Sequence, residues 1–154
     1  MGDLIKTTAE VAEADALPHM HEVHSDPEAA CSGKDLVPDC IARTPVTRKS
    51  AAQWAYERTV LYLKKFEEGL DDDHEIAMGF AGTDAGVLKI EGMGYFDPDI
   101  VTFYGADAGG GKMQLVQHVS QLSVLLRAAP KAVETAAPNR IGFKLLKDLE
   151  QGET

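Results

Sequence analysis

The chain predicts an α+β fold: a helix, a four-stranded antiparallel meander, a second helix and a final strand, with both helices on one face of the sheet. Three observations point there. All the aromatic residues, one Trp, four Tyr and five Phe, lie between Trp54 and Phe143. Inside that stretch the hydrophobic period changes from 3.6 to 2 after Asp71 and returns to 3.6 at His118. The apolar runs between are short and separated by Gly-, Asp- or Pro-bearing turns, which is how strands that fold back on their neighbours are punctuated.

Each element follows in order. Thr44-Pro45 biases the chain to an extended form, and Ser50-x-x-Gln53 supplies a capping box for a helix that runs to about Glu68 and stops at Gly69. Its apolar arc is Tyr56, Thr59, Val60, Tyr62, Leu63 and Phe66. Ile76, Met78 and Phe80 then alternate with Glu75, Ala77 and Gly79 as a half-buried strand. Gly82 to Gly86 turns the chain into a second strand from Val87 to Met93, and Gly92 and Gly94 mark a bulge or bend. Asp97-Pro98-Asp99 turns again. Ile100 to Tyr104 alternates Val101 and Phe103 with Thr102 and Tyr104, and the glycine turn at Asp107 to Gly111 leads into Lys112 to Val116. From His118 to Ala129 the spacing of Val119, Leu122, Leu125, Leu126 and Ala129 predicts a helix that Pro130 ends. Ile141, Phe143 and Leu145 alternate as a last strand.

Residues 1–48 contrast with this. They hold no aromatic residue and only scattered aliphatics among acids, Ala, Pro and His. Such a segment buries too little apolar surface to offset backbone ordering of about 1–2 kcal/mol per residue. The expectation is an acidic N-terminal tail over 1–48, disordered or loosely docked, one α+β domain over 49–150, and a short end at 151–154.

Gln114 to Leu122, with Phe103-Tyr104-Gly105, Gly94-Tyr95 and Arg140-Ile141-Gly142-Phe143-Lys144-Leu145, resembles a family of small bacterial proteins of unknown function. The likeness covers residues 51–150 and implies a bacterial source and a single domain, with no activity attached.

Composition narrows the partners. The net charge is −10, shared between nine acids and four bases in the tail and sixteen acids and eleven bases beyond it. Nucleic acid and anionic membranes both draw binding energy from clustered cations, and no such cluster is present. No apolar run approaches the ~20 residues needed to span a bilayer, and the start lacks the basic and apolar regions of a secretory signal. The expected location is cytoplasmic. There Cys31 and Cys40 stay reduced, and the crowded His19, His21 and His24 lack the knuckle spacing of a zinc site.

Two further motifs imitate ligand sites. Ala106 to Met113 approaches a phosphate loop, but Ala106 replaces its first glycine and Met113 its hydroxyl, so the run reads as a hairpin turn. Asp71-Asp72-Asp73-His74-Glu75 crowds oxygen ligands without the spacing of a calcium loop. It reads as a solvated turn; in a catalytic setting it would join Asp97 and Asp99 to supply acids. No cofactor, metal or catalytic residue is therefore expected.

Function then rests on surfaces. Helical phase sets Trp54 and Leu61 opposite the apolar arc, among Arg58, Lys65 and Glu68, either as a contact surface for a protein partner or homodimer or as a pair shielded by the stems of their charged neighbours. The leading expectation is a non-catalytic protein-interaction or regulatory module. The alternative is a small ligand-binding protein or hydrolase-like enzyme with a cleft near His118 and Tyr104, in which His118 serves as base. Because the tail lacks anchoring side chains, a chain beginning at Arg48 should melt within a few degrees of the full-length protein; failure to fold would show that the tail is an integral part of the domain.

Overall fold

A computed structural model describes residues 22–25, 38–80, 86–131 and 136–151. The chain divides into two units between Lys49 and Ser50. In the first, Asp39–Ala42 form one α turn (α1) and Val46–Arg48 a 3-10 turn, each preceded by a proline, and the Lys49 ammonium donates to the Ile41 carbonyl. His19, His21 and Cys31 lie outside the described residues.

The second unit opens with the long helix α2 (Ala51–Glu68). Ser50 caps it as its sequence position requires, its hydroxyl oxygen accepting the Gln53 N–H at 2.9 Å. The Gln53 amide does not complete a reciprocal box; it donates to Glu57, while the Ser50 hydroxyl donates to Asp97. The buried stripe runs through Ala52, Ala55, Tyr56, Val60 and Leu63. Tyr62, expected in that arc, lies beside it and is 49% exposed.

Four strands follow as the expected meander: β1 (His74–Phe80), β2 (Val87–Phe96), β3 (Ile100–Ala106) and β4 (Lys112–His118). All neighbours are antiparallel, and a register shift between Ile90 and Gly92 makes the bulge that the glycines signalled. Ile76, Met78, Phe80, Leu88, Ile90, Val101 and Phe103 alternate onto one face and are buried there. Against that face lies α2, and Tyr56 meets Tyr95 of β2 with ring centroids 5.1 Å apart.

The last two elements reverse the expected order while the α+β class holds. Residues 118–129 do not form a helix: after a 3-10 turn at Val119–Gln121 the chain becomes strand β5 (Val124–Pro130), and the sheet runs β4-β3-β2-β1-β5. Val124, Leu126 and Ala128 also alternate, and pairing them with Phe80, Met78 and Ile76 closes the open edge of β1. That edge presents buried apolar side chains and unpaired backbone, so tertiary pairing outweighs helical spacing. Conversely, Ile141 to Leu145 is no strand but the start of helix α3 (Ile141–Gln151), whose buried side is Ile141, Gly142, Leu145 and Leu146.

The first turn of α3 is held by a single buried carboxylate. Glu67 of α2 is 2% exposed and accepts the backbone N–H groups of Gly142 at 2.9 Å and Phe143 at 3.1 Å. A helix start leaves such donors without intrahelical partners, and here another helix supplies the acceptor. Burial pushes the Glu67 carboxyl above its ordinary range, and the two backbone donors with the nearby Arg140 only partly offset this. Gly142 makes the approach possible. A methyl group in its place would stand 2.5 Å from the Lys64 nitrogen and 2.7 Å from the Leu63 carbonyl carbon. Just before the helix, Arg140 donates to the carbonyls of His74 and Asp71, and the Asn139 N–H donates to Glu75.

Glu67→Ala should lower unfolding free energy by about 2–4 kcal/mol, since two N–H groups at a buried helix start lose their acceptor. Gly142→Ala should cost about 2–3 kcal/mol by overpacking against backbone; denaturant melts check both. A carboxyl whose pKa rises on folding makes the native chain bind more protons than the unfolded chain, so its contribution falls as pH rises from the ordinary Glu value through Glu67's own titration. Over that interval the natural chain should lose stability relative to Glu67→Gln; a difference that is flat or grows with pH would contradict the burial argument.

Candidate functional site

One face of the sheet carries no helix among the described residues. Alternation along β2, β3 and β4 aims Phe96, Ile100, Thr102, Tyr104, Val116 and His118 at it, opposite the buried Val101 and Phe103. Antiparallel sheets with one solvated face usually line it with polar side chains. Here Phe96 is 74% exposed, Val116 57% and Tyr104 43%. Register sets Phe96 against Ile100 and Ile100 against His118, with Thr102 against Val116 in the next row. The Tyr104 ring lies across Gly92 and Gly94: an added methyl would meet it at 3.7 and 3.9 Å. The ring covers surface that two strand glycines leave bare. Sequence reasoning singled out Tyr104 but missed Phe96 and Val116, although the alternation it recognised in β3 already sends every second residue of the neighbouring strands to this side.

His118 shares that face with Tyr104 but stands well apart from it. Tyr104 pairs with Gln114, four residues along β4 from His118, which is about 13 Å at strand spacing. His118 does not begin a helix as expected: its side chain is 46% exposed and caps the 3-10 turn. Its Nδ1 accepts the Ser120 N–H at 3.0 Å, with the Ser120 hydroxyl 2.8 Å away, and the His118 backbone N–H donates to the Gln121 side-chain oxygen at 3.0 Å. An Nδ1 that accepts leaves the proton on Nε2, which donates to Asp99 at 3.1 Å. Carboxylate, imidazole and hydroxyl thus stand in the order of a hydrolase triad. Yet the Nδ1 lone pair that would take the serine proton already serves the backbone, and the group lies open to solvent rather than in a pocket. The geometry is that of a cap.

The other motifs resolve into turns. Asp107 accepts the N–H groups of Gly109 at 3.0 Å and Gly111 at 2.8 Å, so its carboxylate takes glycine amides that a phosphate loop would offer to a ligand; Gly110, at φ +82°, completes the hairpin. Lys112 pairs with Glu91 at 2.8 Å. In the acidic run, Asp71 bonds the His74 ring at 2.6 Å and the Asp73 N–H at 2.9 Å, and these bonds hold its carboxyl below the usual range. Among the described residues no three His, Cys, Asp or Glu side chains converge to hold a metal ion, and no helix is long and apolar enough to cross a membrane. Cys40 is half-buried in the first unit.

Trp54 and Leu61 lie half-buried on α2. The Arg58 guanidinium sits 4.6 Å above the Trp54 ring, a cation–π contact, and its Nε donates to the Trp54 carbonyl at 3.2 Å. Deeper in the unit, burial pushes the Tyr56 hydroxyl up to about 12, with Asp148, Tyr95 and Glu57 adding to it, so this phenol stays protonated and cannot serve as a base near neutrality.

If the His118 group is a cap, a fluorophosphonate probe should leave Ser120 unlabelled by intact mass, and His118→Ala should cost about 0.5–1 kcal/mol through the lost cap. Stoichiometric labelling of Ser120 would make the chain from Asp99 to Ser120 a working triad.

No curated protein and no solved structure matches the chain. A family pattern does, over residues 47–144. That span includes the Ser50 cap, the Gly92 and Gly94 surface under Tyr104, and the Glu67, Arg140 and Gly142 junction, and on that match the chain belongs to a family of unknown function, DUF6173.

Proposed function

We propose that the domain is a non-catalytic protein-interaction module, working in the cytoplasm, and that it docks a protein partner through the face of its sheet opposite α2. The observation that carries the reading is the exposure of Phe96, Tyr104 and Val116 together on the side of the sheet where polar residues are the norm. The polar groups beside this patch, Asp99, His118, Ser120 and Gln121, are engaged with one another, which supports docking over catalysis. The even spread of acid along the chain supports a protein partner over nucleic acid or an anionic membrane.

Trp54 and Leu61 form a second contact surface in this reading, on the side of α2 turned from its buried stripe. Burial of such side chains in an interface contributes on the order of 2–3 kcal/mol each.

Phe96→Ser with Val116→Thr should abolish co-purification of the partner from the native host, and any self-association seen by analytical ultracentrifugation, while moving the thermal midpoint by only a few degrees. Trp54→Gln with Leu61→Gln should weaken the same association. Unchanged association in both double variants would end the interaction reading.

A further inference from the structure

The opposite, helix-bearing side of the sheet has an opening of its own. A groove of about 440 Å³ lies between α2 and β5, lined by Arg58, Thr59 and Tyr62 on one wall and by Leu122, Val124 and Leu126 on the other. The second wall is wholly apolar, and its three side chains are half-buried. The volume falls within the ~300–1,000 Å³ of small-molecule sites.

Two of the polar groups on the first wall keep hydrogen-bond donors unused. Of the five N–H bonds of the Arg58 guanidinium, the one at Nε reaches the Trp54 carbonyl, and no carboxylate pairs with Arg58 among the described residues. Tyr62 stands one helical turn further on, and its hydroxyl has no hydrogen-bond partner among the described residues. The two are near enough that Tyr62 partly offsets the lowering of the Arg58 pKa, which comes first from burial. Thr59 donates its hydroxyl hydrogen to the Ala55 carbonyl at 2.7 Å and so adds no free donor. A partly desolvated guanidinium and a phenol therefore stand at the rim of an apolar slot, and the ligand must bring the oxygens. The guanidinium fork suits a planar, two-oxygen anion.

We propose that the groove between α2 and β5 binds a small-molecule carboxylate with an apolar body, Arg58 and the Tyr62 hydroxyl taking the carboxylate and Leu122, Val124 and Leu126 the body. The slot has room for one such molecule rather than an extended peptide, and it faces away from Phe96 and Val116, so it operates independently of the docking face.

The test uses the full chain with octanoate and 4-phenylbutyrate, followed by calorimetry and by the fluorescence of Trp54, the single tryptophan, whose ring the Arg58 guanidinium covers. Both acids should bind saturably at one site and shift the emission as the guanidinium turns to the carboxylate. Octanamide and 1-octanol should bind at least roughly tenfold more weakly. Arg58→Gln should weaken octanoate by roughly tenfold or more without changing octanol, Arg58→Lys should recover part of the loss, and Phe96→Ser should bind as the natural chain does. The proposal is overturned by no saturable octanoate binding at millimolar concentration, by equal binding of acid and amide, or by a natural affinity in a folded Arg58→Gln chain. Tighter binding of a peptide ending in an apolar residue than of either free acid would also overturn it, since the occupant would then be a chain terminus.

Discussion

The fold depends on one buried carboxylate meeting one missing side chain. Glu67 can reach the first N–H groups of α3 only because Gly142 lets the two helices approach at backbone distance, and Gly142 is tolerated inside a helix because that approach returns contact and hydrogen bonds for its lost helix propensity. The junction fixes more than two helices. Arg140 and Asn139, immediately upstream, tie the same segment to the carbonyls at the start of β1 and to Glu75, so the end of α2, the first strand and the last helix share one hydrogen-bonded node. A charged group kept at such a node costs desolvation, visible in the upward push on its pKa, and its value lies in having no other geometry in which both donors are met.

This node also explains which part of the chain was legible in advance. Through β4, each element is announced by local signals that agree with one another: a serine cap, a change of period, glycine and Asp-Pro turns. The final third is not, because its residues satisfy two templates at once. Leu122, Leu125, Leu126 and Ala129 make a helical stripe, while Val124, Leu126 and Ala128 make a strand face. The choice is made by β1, which needs a backbone partner on its second side. Likewise Ile141, Phe143 and Leu145 alternate, but Ile141, Leu145 and Leu146 bury together only on a helix, and the acceptor that allows that helix to begin lies 75 residues earlier at Glu67. Information of that range is not present in a local window.

The surfaces show the same division. Strand alternation was enough to place Tyr104 away from the core, and the same rule applied to β2 and β4 leads to Phe96 and Val116. The surroundings of His118 were not readable, because a three-residue 3-10 turn in place of a helix swings Ser120 back onto the imidazole and brings Asp99 beside it from another strand connection. The groove beside Arg58 depends on β5 lying next to α2, and so was hidden by the same ambiguity that hid the strand.

The hairpin between β3 and β4 shows how a nearly complete motif can be closed off from within. Asp107 folds its carboxylate over the glycine amides that follow it, so the loop is its own ligand: the concavity that would attract an external anion already holds a tethered one at effectively saturating concentration. A free phosphate would have to displace that carboxylate and then sit beside it, with like charges in contact. The acid at the first position of the turn thus acts as a permanent competitive inhibitor of the site its glycines resemble.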